Sequence, residues 1–172
     1  HLHTALSTDA WFNGTRKHPY TAYRFAQGDP VTLSNGAEWK LSRPLDFVAI
    51  TDHAESFGDL ALCLRPGSVS YDTAMCQAMR TGNDPVRMGQ VIGGWNVDGA
   101  TRIAEVCGDD GALCIEEGRS TWQLLIDAAN RANTPGEFTA LVAYEYSPVA
   151  IGPEGAIKVH RNVIYRGDDV PD

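Results

Sequence analysis

The chain has 172 residues, 14 Lys and Arg against 22 Asp and Glu, and a formal net charge of −8. Its 43% hydrophobic content is that of a packed globular domain and excludes a disordered chain. The acidic balance argues against a broad nucleic-acid footprint, and no stretch approaches the roughly 20 apolar residues of a membrane span.

The first residues, His1-Leu2-His3, place two imidazoles two positions apart, on one face of an extended segment. Such a pair can hold one transition ion, although an isolated pair of this kind is common without one. His18, before Pro19 and Tyr20, has no such context and reads as a surface or loop residue. Asn13-Gly14-Thr15 fits a glycosylation sequon but reads better as a turn. A short helix is expected over residues 21–27, stopped by Gly28-Asp29-Pro30.

Residues 45–51 form a nearly continuous apolar run after Pro44, ending at Asp52-His53. Residues 138–144 form another after Pro135-Gly136, ending at Glu145. Runs apolar on both faces are the pattern of parallel strands covered on both sides. Residues 56–118 between them are far longer than one crossover needs, so an irregular, partly helical insertion is expected there. It reads either as a lid or as a solvated decoration. A helix is expected from Ser120, with Ser120 and Gln123 as a capping box and Trp122, Leu125, Ile126 and Ala129 as its apolar stripe, ending at Thr134-Pro135-Gly136. Residues 159–165 are a third candidate strand.

The cysteines at 63, 76, 107 and 114 contain no C-x-x-C pair, which argues against a tetrathiolate zinc site. Two readings stay open: buried free thiols, or one or two disulfides, with Cys107–Cys114 favoured by the turn-rich segment between them. Disulfides would imply an oxidising compartment. That tilts an otherwise open localisation slightly towards the periplasm or secretion.

His1, His3, Asp52, His53 and Glu145 fall where a strand meets a loop, and ligands of parallel α/β sheets and barrels gather at the carboxyl ends of strands. Taken together, in order and after apolar strands, they point to a metal centre. Asp52 is expected either to accept a hydrogen bond from a ligand histidine or to cap a turn.

Five segments, HLHTALSTDA, AYRFAQGDPVTL, RPLDFVAITDHAE, FTALVAYEYS and HRNVIYRG, spread over nearly the whole chain. Together they resemble the PHP (polymerase and histidinol phosphatase) superfamily, most closely a largely bacterial family of unknown function within it. The resemblance implies an α/β fold that is part of a distorted (β/α)7 barrel with a long insertion. It also implies a di- or trinuclear site holding two or three divalent ions (zinc, manganese or iron) and a phosphoesterase that uses a metal-activated hydroxide. Residue by residue, His1 and His3 match ligands of one metal, Asp9 the ligand that follows, and His53 the histidine of the second motif. Glu145 matches the bridging carboxylate and His160 the histidine after it. Arg161 would grip a small anionic substrate, with Arg16 and Lys17 weaker candidates; a solvated surface role stays open for all three.

The superfamily's further histidine and late Asp-x-His motif have no counterpart after His160. The residues outside 56–136 also fall far short of the roughly 250 of a closed barrel. The expectation is therefore an N-terminal fragment of a larger domain, completed by the rest of the polypeptide or a separate chain. The alternatives are a non-catalytic metal- or carbohydrate-binding module, a hydrolase of ester, amide or sugar derivatives, and, least favoured, a copper histidine-brace oxidative enzyme.

Overall fold

A computed structural model describes residues 1–82, 102–153, 155–167 and 169–171. They form two compact units. The first comprises His1–His53, Trp122–Glu145 and Asn162–Asp172; the second comprises Ala54–Thr121 and Tyr146–Arg161.

The first unit carries helices α1 (Thr8–Phe12) and α2 (Pro19–Ala26), a small antiparallel pair β1 (Val31–Thr32) and β2 (Glu38–Trp39), and strand β3 (Phe47–Ala49). Helix α2 opens with Pro at its first position, where a missing amide costs nothing, and ends before Gly28, whose φ of +101° a side chain would resist. Strand β3 pairs in parallel with β4 (Thr139–Leu141), with Phe47, Val48 and Ala49 opposite Thr139, Ala140 and Leu141. The parallel run extends on both sides. Leu2 bridges Ile50, with Leu2 N–H donating to Ala49 O and Thr51 N–H to Leu2 O, and His53 bridges Glu145. The first residues therefore form a third parallel segment beside β3. Val48, Ala49, Ile50, Phe138, Ala140, Val142 and Ala143 are buried, as the two apolar runs require.

The fold is thus α/β, and the described sheets are small, with no closed barrel among the described residues. Strand β5 (Ala143–Tyr146) pairs with β8 (Arg161–Ile164), and β6 (Val149–Gly152) pairs antiparallel with β7 (Gly155–Lys158). The nesting of one pair inside the other makes Arg161–Ile164 a return strand against β5. Expected as a further strand over 159–165, it is shorter and belongs to this nested arrangement.

Helices α3 (Phe57–Leu64), α4 (Ala74–Thr81) and α5 (Ala104–Cys107) lie in the second unit, and α6 (Ala112–Ala132) is the longest helix described. Helix α6 starts eight residues before the expected capping box. Asp110 accepts from Ala112 N–H at its true start, while Ser120 sits mid-helix and donates to Glu116 O. Its later stripe is as expected: Leu125, Ile126 and Ala129 are buried, and Trp122 packs edge-on against Tyr144. The residues expected to form an irregular insertion include these helices; 83–101 lie outside the described residues.

All four cysteines are paired, as Cys63–Cys76 and Cys107–Cys114, so the free-thiol reading does not hold. The second unit also buries the apolar side chains Phe57, Leu60, Leu62, Met75, Met79 and Val106. Gly58 packs so closely on α6 that an added Cβ would collide with the Cys114 backbone carbonyl. Gly58→Ala should therefore lower stability by about 1–3 kcal/mol or more, the usual cost of overpacking, in chemical denaturation followed by circular dichroism.

Candidate metal centre

Three parallel segments end side by side in the first unit and deliver His3, His53 and Glu145. The His53–Glu145 bridge is held by Glu145 N–H donating to Asp52 O at 3.0 Å. The fourth donor, Asp9, comes from the first turn of α1, only six residues after His3. His1 lies two residues before His3, its ring centroid 5.5 Å from that of His3.

Two donor groups result within the first unit. The ligand atoms of His1, His3 and Glu145 all lie within 4.8 Å of one another, and so do those of His3, Asp9 and His53. His3 belongs to both. Its Nδ1 lies 2.9 Å from Asp9 Oδ2 and its Nε2 3.0 Å from Glu145 Oε2. With both carboxylates ionised, both contacts are hydrogen bonds only for a doubly protonated ring. Burial works against that charge, but the hydrogen bond to Asp9 and the charges of Asp9, Asp52 and Glu145 outweigh it and raise the His3 pKa. Burial likewise opposes the ionised Asp9, yet hydrogen bonds from His3 and Ser7 hold its carboxyl well below the usual carboxylate range. Glu145 and His53 are buried, whereas His1 and Asp9 are exposed, so the group opens to solvent on one side.

Asp52 is fully buried, and burial pushes its carboxyl up to about 6. It was expected to orient a ligand histidine or to cap a turn. It takes Thr4 N–H at 2.5 Å and Thr4 Oγ1–H at 2.6 Å, pinning the residue that follows His3. Its partner is therefore the turn after the H-x-H pair. Arg16, a weaker substrate candidate, is spent locally: its guanidinium stacks on Trp11 and donates to the carbonyls of Trp11 and Thr15. Lys17 is half-buried, and its carbonyl accepts from Ala5 N–H. His18 is the N-cap residue of α2, stacked on Tyr20.

The remaining candidates lie in the second unit. His160 Nδ1 sits 3.1 Å from Ser147 Oγ, and Arg161 is exposed at the start of β8. In the same unit Asp59, Cys107 and Cys114 lie close together, but both sulfurs are in a disulfide and Asp59 accepts from Arg102, so this cluster offers no thiolate. Sequence reasoning assigned no role to Thr4 or Ser7, although both stand inside the opening motif. Only the fold reveals what their hydroxyls touch.

No helix among the described residues is long and apolar enough to cross a membrane. A family model described as a protein of unknown function, DUF3604, matches residues 1–172, and the chain belongs to that family. No curated protein and no solved structure matches the chain.

The shifted His3 pKa has a defined sign. Raised in the folded state, it contributes stability that is fully present below the unfolded value near 6.5 and is lost as pH rises through the folded value. With chelator present, denaturation midpoints should fall between pH 6 and pH 8, and His3→Gln should flatten that slope. Metal affinity should run the opposite way and strengthen with pH, because a ligating imidazole must first lose its proton.

Proposed function

We propose that this DUF3604 chain carries the centre of a PHP-type, divalent-metal-dependent hydrolase, with phosphate esters as its favoured substrates. The observation that carries the reading is the meeting of two three-residue donor groups at His3, built from the ends of three parallel segments and the first turn of α1. We read those segments as part of a distorted (β/α)7 barrel.

The donor chemistry fits two or three zinc, manganese or iron ions, since imidazole nitrogens and carboxylate oxygens are the ligands these ions share. Following the resemblance, His1 and His3 would hold one ion and Asp9 and His53 a neighbouring one, with Glu145 as the carboxylate shared between them. The burial of Glu145 fits this assignment, because a carboxylate so far from water needs a positive partner, which an ion would supply once His3 has lost its proton. A divalent ion in such a site supplies Lewis acidity and brings the pKa of water to about 7.

The protein's own residues do the rest. Glu145 and His53 close the inner side of the group, and His1 and Asp9 flank its open side, where a substrate enters. Asp52 keeps the H-x-H segment in register through Thr4. The convergence of Asp9, His53 and Glu145 on His3 supports this reading over a copper brace, which would leave those residues idle. The two disulfides support an oxidising location, periplasmic or secreted.

Elemental analysis of the purified protein should find two or three equivalents of zinc, manganese or iron. Glu145→Ala should lose at least one equivalent together with hydrolysis of p-nitrophenyl phosphate and bis-p-nitrophenyl phosphate. Full metal content and turnover in that variant, or a single copper in the parent, would overturn the proposal.

A further inference from the structure

Ser7 stands at the N-cap position of α1 with extended backbone, φ −105° and ψ 133°, yet its side chain makes no cap hydrogen bond. An N-cap serine ordinarily accepts from an amide two or three residues on. Ser7 Oγ instead donates to Asp9 Oδ1 at 2.6 Å and accepts from His53 N–H at 3.1 Å. It also lies 3.4 Å from His3 Nδ1. The residue is completely buried, away from bulk solvent. A hydroxyl has one proton and two lone pairs, and here they face three donor residues from three separate elements.

From this arrangement we infer that Ser7 is a positioning residue for the Asp9–His53 half of the centre. The inference rests on the metal reading above. The Ser7 proton fixes one oxygen of Asp9 while His3 Nδ1 faces the other, so the carboxylate plane is set from both sides. The lone pair that accepts from His53 N–H anchors the backbone that presents the imidazole. Nothing comparable ties Ser7 to His1 or Glu145 among the described contacts. Loss of the hydroxyl therefore acts unequally on the two halves. Removing an outer hydrogen-bond partner of a metal ligand typically costs ten- to hundred-fold in affinity.

The test is a cobalt(II) titration of the metal-free full chain, read by its ligand-field absorption bands and by calorimetry. In Ser7→Ala the binding event assigned to Asp9 and His53 should weaken roughly ten- to hundred-fold, with its bands shifted. The event assigned to His1, His3 and Glu145 should stay within about two-fold. The assignment of events comes from His1→Ala and His53→Ala titrated in parallel. Circular dichroism checks the fold of each metal-free variant. Should Ser7→Ala lose it, Ser7→Gly leaves room for a water against the His53 amide, and the same unequal loss is expected there. Equal weakening of both events, no weakening in a folded variant, or loss of fold in both variants would overturn the role given to Ser7. Absence of any cobalt binding by the parent chain would instead refute the metal reading itself.

Discussion

Parallel pairing between the segment at Leu2, strand β3 and the β4–β5 run is the constraint on which the candidate centre depends. Side chains alternate along a strand, so a one-residue slip in any of the three would turn its donor to the opposite face. Buried apolar residues on β3 and β4 make such a slip costly, because Val48, Ala49 and Ala140 would then lose their packing. The site is therefore registered by the core beneath it. The polar locks, Asp52 on Thr4 and Ser7 on Asp9 and His53, refine positions that the hydrophobic pattern has already selected.

The electrostatics of the group follow from its graded burial. Glu145, His53 and Asp52 are buried, and His1 and Asp9 reach solvent. Two carboxylates face opposite nitrogens of His3, which makes that ring the charge-balancing element of the group. A cation entering the group would replace the His3 proton in that role. One ring thus sets a competition between protons and metal, with both carboxylates favouring whichever positive charge is present.

What the sequence made legible divides along physical lines. The two parallel strands and the donors at their ends could be read because buried strands leave continuous apolar runs and the donors follow at once. The start of α6 could not: Ser120 and Gln123 imitate a capping box, and Gly118 weakens the helical signal upstream, yet Gly118 lies within 3.7 Å of Gly58 N, measured from where its Cβ would be, a close approach that no local pattern announces. Residues 159–165 share the alternation of a sheet strand, and only the nested pairing of β5 to β8 shows where the strand Arg161–Ile164 returns. The Cys63–Cys76 bridge was equally hidden, since thirteen residues of separation say little about whether two thiols meet. The hydroxyls of Thr4 and Ser7 were visible as residues, but their partners are 48 and 46 positions away.

The disulfides close loops of only 13 and 7 residues, whereas His3 and Glu145 are separated by 142 positions. Contacts between distant positions are slow to form because chain closure must come before any reward. A chain emerging from its amino end therefore has the cysteines of both bridges available before its last strand-borne donor exists. His3 must wait for Glu145 until the 142 positions between them have been made. The centre therefore follows the disulfides in the molecule's own assembly, and its completion reports that segments 142 positions apart have met.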